Sequence, residues 1–386
     1  MNQSIHETGI ATEATMGRLP QRSGGWIVTG WISGVLAASL WASPSQAEGA
    51  VQATPLWMVD RTSAAVDFNR PLGLAYDAQG DLLWVADTGN HRIRALDGSG
   101  MQIRSYQVFA DSPRGPIPGE PKNLAVTRDG LLYLIDALSD RVEVMDLLGQ
   151  PVRQIDPAQF KGWAAPDPNS SSAIPGDFRP VSLALDPEDH LIVAVGSHDA
   201  VIVCVASDDT ILWTVDGRDA GAKPFGAITS LYMDPAGRLY ITDATAEPPV
   251  RVYDSEHELL LALGTHDVGN ENFSLPTAVV AASGRMWVAD AIRQTIKVFA
   301  LDGTYVGMVG AAGRELGDLL YPAAMATDGK DRLFVLERLG ARLSAFQMSA
   351  PEISAEATTP TGRDSVGVGV DGLGGRTDIL APGASR

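Results

Sequence analysis

The chain has 386 residues, 45% hydrophobic and 20% charged, with 40 glycines and 24 prolines, a balance that excludes fibrous and low-complexity proteins. Its formal net charge of −18 argues against a nucleic-acid partner, because phosphate binding needs a concentrated basic face. The single cysteine, Cys204, excludes an internal disulfide framework, so stability has to come from packing.

In chain order, Arg18 and Arg22 precede the uncharged stretch Trp26 to Ala42, and Ser45-Gln46-Ala47 follows with small residues at the positions a signal peptidase reads. The pattern predicts a secretory signal over 1–47, cleavage near Ala47 and a secreted or periplasmic mature chain. Glu7 and Glu13 spoil the basic leader, which points to Met16 as the initiator. The apolar stretch would span roughly 25 Å as a helix, short of the roughly 30 Å hydrocarbon layer, so no membrane span is expected in the mature chain.

From Pro71 to Met348 one pattern recurs six times. The clearest copy is Pro71-Leu-Gly-Leu-Ala-Tyr-Asp-Ala-Gln-Gly80 followed by Leu82-Leu-Trp-Val-Ala-Asp87-Thr-Gly-Asn-His-Arg-Ile93. The other copies align on Asp136, Val195, Asp243, Asp290 and Glu337 in the place of Asp87, giving steps of 49, 59, 48, 47 and 47 residues. Short strands repeating at this period predict an all-β, six-bladed propeller, because one four-stranded sheet cannot bury both faces until neighbours stack around an axis. The last copy runs out after three strands, so Pro55 to Asp60 is expected to pair with Leu343 to Gln347 and close the ring, removing an exposed edge. The propeller is thus expected over 48–350. Residues 351–386, rich in Ala, Gly, Thr, Pro and Ser, read as a disordered tail. Their Gly367-Val-Gly-Val-Asp-Gly372 has the letters of a dinucleotide fingerprint but no preceding strand pattern.

The repeats resemble NHL repeats, whose units carry a Pro-x-Gly-Ile-Ala start, a Val-Ala-Asp second strand and an Asn-x-Arg-Ile third. Asp87 to Ile93 matches closely, whereas Val195 and the Glu247-Pro248-Pro249 loop depart from the pattern and suggest irregular third and fourth blades. The resemblance also raises two enzyme alternatives, peptidyl-amidating lyases and sugar-lactone hydrolases, both using a divalent metal in the channel. The histidines after residue 47 (His91, His190, His198, His257 and His266) all fall in predicted loops, so no metal site and no other cofactor is expected from the residues. The repeat acids Asp87, Asp136, Asp243, Asp290 and Glu337 are read as structural, each holding its own turn through backbone N–H groups.

The positive functional signal is geometric. Two connections between blades are long, Ala110 to Pro121, which contains Arg114, and Asp156 to Pro180, which contains Phe160, Trp163 and Phe178. Long loops on a rigid scaffold commonly carry binding function. Arg70, Lys122 with its neighbour Asn123, and Arg179 sit at the starts of three successive inner strands and predict an anion-attracting mouth. The sequence therefore reads as a non-catalytic binding or scaffold propeller for a protein, peptide or polysaccharide, with Trp163 as its aromatic anchor.

Overall fold

A computed structural model describes residues 53–60, 67–163, 177–218 and 223–349. The expected signal over 1–47, the expected tail over 351–386 and residues 164–176 of the second long connection lie outside the described residues. Six four-stranded antiparallel sheets make six blades of a propeller. In blade one, Gly73–Asp77, Leu82–Asp87, Arg92–Asp97 and Gln102–Gln107 run outward in that order. The other innermost strands are Pro121–Val126, Pro180–Leu185, Ile228–Met233, Pro276–Ala282 and Pro322–Thr327. Blades three and four keep four strands each, so the departures seen there in sequence do not interrupt the architecture. In blade six the outermost strand is Ala53–Val59, antiparallel to Arg342–Met348 with Pro55 opposite Phe346 and Val59 opposite Leu343.

Burial explains the strand sequences. Second strands such as Leu131–Asp136 and Leu191–Val195 are sandwiched between neighbouring blades and read as nearly unbroken apolar runs. Outer strands such as Ile211–Val215 and Leu259–Leu263 alternate half-buried and exposed residues, the period of a one-sided strand. Six apolar clusters fill the six seams between successive blades, and the one between blades six and one is built from Leu74, Leu83, Val85, Phe334, Leu336 and Leu343.

An antiparallel meander fixes which loops share a face. Turns joining first to second and third to fourth strands lie on one side of the disc, whereas loops joining second to third strands and the passing loops between blades lie on the other. The first side is acidic: Asp77, Asp97, Asp146, Asp186, Asp234, Asp254, Asp302 and Asp328 each begin a turn there by accepting the N–H two residues on, the Asx-turn device. Among the described residues no helix is long and apolar enough to cross a membrane.

Candidate functional site

The innermost strand of every blade is an edge strand. Part of its backbone N–H and C=O groups therefore has no strand partner, and six such edges surround a central channel with a cavity of about 410 Å³. Proline tolerates these strand starts because it begins an edge strand and its missing N–H breaks no ladder. In blades two to six the ladder is bulged at the second residue, so Lys122, Val181, Thr229, Thr277 and Ala323 oppose no partner on the adjacent strand. A bulge re-aims the extra residue, and four of the five line the channel. Thr229 and Thr277 use the position to tie blades together, their hydroxyls donating to the carbonyls of Pro276 and Pro322 at 2.8 Å.

Lys122 is the one charged residue in this set. It lines the channel with Asn123, has no ion-pair partner among the described residues, and burial pulls its ammonium below the usual lysine range. Arg338 is a second channel cation. It follows the acid of blade six, where the other blades place the small residues Thr88, Ala137, Gly196, Ala244 and Ala291. Its guanidinium lies over the Tyr321 ring, 6.0 Å from the centroid, and it too lacks a carboxylate partner among the described residues. Neither an acid nor a histidine lines the cavity, so a divalent ion there would meet no carboxylate or imidazole among the described residues.

The other sequence candidates divide. Arg70 and Arg179 are exposed at their strand starts and are not part of the channel lining, and Arg114 is exposed at the turn of the small Phe109–Ala110 and Ile117–Pro118 hairpin. Phe160 is buried, and Trp163 and Phe178 are half-buried against the seam of blades two and three. The Trp163 indole N–H donates to the Pro157 carbonyl at 2.9 Å, and the ring meets Phe178 edge-on at 5.8 Å. Much of the surface an aromatic anchor would offer a partner is thus already packed internally.

The repeat acids are all buried and bond to the incoming passing loop. Asp243 accepts the N–H groups of Gly226, Ala227, Thr245 and Ala246, Asp290 those of Ser274 and Leu275, and Glu337 that of Leu320. Asp136 accepts from Glu120 and Asp87 from Asn69. Where Val195 replaces the acid, Asp177 supplies a carboxylate from the loop side, accepting the Arg179 N–H and the Ser197 hydroxyl. The N–H of Arg179 holds Asp177 below the usual carboxylate range.

One other group has the makings of a metal centre, Asp186, His190 and Cys204, whose ligand atoms lie within 4.8 Å of one another. The contact of Asp186 with His190 (2.8 Å) repeats the spacing of Asp234 with Arg238 and Asp328 with Arg332. The pair is the turn lock of the blade, and burial pushes the Cys204 thiol up.

Sequence reading misses the apolar side of the passing-loop face. Phe109 (62% exposed), Leu138 (47%), Ile292 (59%) and Leu339 (66%) stand there with Ile117, Val268 and Leu316. The opposite face has Leu148 and Met101 at its turns.

The NHL repeat family model matches residues 68–96, the first blade from Phe68 through its third strand. The first blade is an NHL repeat, set in a six-bladed propeller. Human NHL repeat-containing protein 2 is 30% identical over 97 residues, a stretch covering 23% of this chain and 13% of that protein. Among solved structures, a structural genomics protein of unknown function from Bacteroides thetaiotaomicron is 13% identical with a TM-score of 0.50, covering 78% of this chain and 73% of the other. That likeness extends to the fold alone. Virginiamycin B lyase from Staphylococcus aureus (12% identical, TM-score 0.48, covering 77% and 88%) and hydrazine synthase from Kuenenia stuttgartiensis (12%, 0.49, covering 76% and 99%) are also similar. The first blade, which the family model matches, contributes Leu72 to the channel, while the two cations flank it from blades two and six.

Proposed function

We propose that the protein is a secreted, non-catalytic binding or scaffold propeller that engages a protein or peptide through its passing-loop face. The asymmetry of the two faces carries this reading. Phe109, Leu138, Ile292 and Leu339 crown the passing-loop face, whereas the other is a field of Asp-initiated turns. Exposed apolar side chains clustered on one side mark interaction surfaces, and they favour a polypeptide over the polysaccharide the sequence also allowed.

The test is capture from the native extract followed by hydrogen-exchange footprinting of the complex. Protection is expected over 109–118, 137–140, 291–294 and 338–340. Replacing Phe109 and Leu339 together by Ser should weaken capture by about tenfold or more, the effect of losing two central apolar contacts. A footprint on the Asp turns, or capture indifferent to the double substitution, overturns the proposal.

A further inference from the structure

Six equivalent positions make the channel its own reference. At the second residue of the inner strand, bulged in blades two to six, and at the aligned position of blade one, the blades carry in order Leu72, Lys122, Val181, Thr229, Thr277 and Ala323. After the repeat acid or its substitute they carry Thr88, Ala137, Gly196, Ala244, Ala291 and Arg338. The pattern is apolar or small everywhere except at Lys122 and Arg338. Structure alone does not demand a cation at the Lys122 position, since the equivalent Thr229 and Thr277 satisfy the neighbouring blade with a hydroxyl, nor at the Arg338 position, which small residues fill in the other five blades. Both cations lie in the same cavity, in the two blades that flank blade one, and both lack a carboxylate partner among the described residues. The half-buried part of the wall mixes apolar Leu72, Leu275 and Met233 with neutral polar Asn123, Ser230 and Thr327.

Two unpaired cations in an otherwise apolar or neutral pocket ask for an anion on an apolar body. A guanidinium presents a planar fork that matches a carboxylate, and an ammonium adds a point charge from a second direction. Inorganic phosphate would also fit the fork, but it carries no stem to cover the apolar part of the wall. The cavity volume lies in the range of small-ligand sites. We propose that the channel mouth is a binding site for a carboxylate on an apolar stem, with Lys122 and Arg338 holding the head and the channel wall the stem. It rests on the reading of the protein as a binding propeller, and it identifies the chemical group the channel selects. The carboxylate comes either from the C-terminus of a peptide or from a free aliphatic acid.

The purified protein is titrated by calorimetry with decanoate, decanamide, acetyl-trileucine as acid and as amide, and inorganic phosphate. The acids should bind in a single saturable event, about tenfold or more tighter than their amides and than phosphate. Lys122→Met and Arg338→Met should each remove that preference, Lys122→Arg should retain it, and Lys330→Met on the opposite face should change nothing. Unchanged thermal unfolding of each variant shows that its fold is intact. A tighter tripeptide acid assigns the site to a peptide terminus, and a tighter decanoate to a free acid. Equal binding of acid and amide, phosphate binding as tightly as the acids, or no carboxylate binding below about 1 mM overturns the inference. If the footprint on the passing-loop face persists in that case, the broader binding reading stands. If the footprint fails while carboxylate binding survives, the reverse holds.

Discussion

Glu143 occupies a place that other blades give to a cation. Arg94, Arg251 and Lys297 sit on their third strands opposite the residue two before the repeat acid, and Glu143 has the same register. Arg94 pairs with Asp87 at 2.8 Å, Arg251 donates to Gly217 at 3.0 Å and Lys297 to Asn270 at 2.7 Å, each anchoring a passing loop or its acid. In blade two the inversion leaves one oxygen of buried Asp136 without a donor. Burial, followed by the charges of Asp111 and Asp136, pushes the Glu143 carboxyl up. A carboxyl raised in the folded state binds its proton better there than in the unfolded chain. Its ionisation therefore burdens the fold at neutral pH, and the burden disappears once pH falls below the unfolded value of about 4.3. Glu143→Gln should stabilise the protein by about 1 kcal/mol at pH 7, with the advantage gone below about pH 4; urea titrations at both pH values check it. The inversion was visible in principle, since Arg94, Glu143 and Lys297 each stand seven residues after the repeat acid, but the spacing does not say that the position anchors a passing loop.

At the scale of the element, the innermost strands are both wall and seam. Thr277 donates across the blade boundary to the Pro322 carbonyl, and Thr88 does the same to Pro121 at 2.7 Å from the turn after the second strand of blade one. Thr277→Val keeps the shape and removes the donor, so it should cost about 1 kcal/mol, read as a lower midpoint in thermal unfolding without loss of cooperativity. Blade count, strand order and the acids at the ends of second strands were legible in the sequence because hydrophobic runs and turn residues carry them directly. The channel was half legible. Lys122 stands out beside a strand-opening proline, whereas the bulge that gives it its place is a backbone event without a residue signature. Arg338 was visible in principle, as the one large residue at a position of small ones, and became meaningful only when that position proved to line the channel. Trp163 was the opposite case. An aromatic in a long loop reads as a binding group, yet a loop of that length needs a plug of its own, and the ring is spent on Phe160, Phe178 and the Pro157 carbonyl.

Across the whole molecule, six seams make a ring, and the seam between blades six and one joins the two ends of the repeated region. Ala53–Val59 completes blade six, and from it the Trp57 indole N–H donates to Gly98 of blade one at 3.2 Å while its ring meets Phe334 at 6.1 Å. Arg332 reinforces the seam, pairing with Asp328 of its own blade at 2.9 Å and with Asp81 of blade one at 2.7 Å. The bond from Arg332 holds Asp81 below the usual carboxylate range. That contribution is present above the ordinary aspartate pKa of about 3.9 and is lost as pH falls below it. The seam should therefore loosen in acid, and Arg332→Met should flatten this part of the pH dependence. Internal deletion of Ala53–Val59 is the stronger test. It exposes the edge of Arg342–Met348 and strips Trp57 and Val59 from the cluster around Phe334, two half-buried side chains that each contribute less than the about 1.5–3 kcal/mol of full burial. A ring with one open seam also loses the closure that couples its blades. The deleted protein should unfold at a clearly lower temperature and over a broader range, whereas removal of 352–386 should leave the transition in place. A deletion variant that melts with the full chain would show that blade six is stable with three strands and that the ring does not depend on this closing strand.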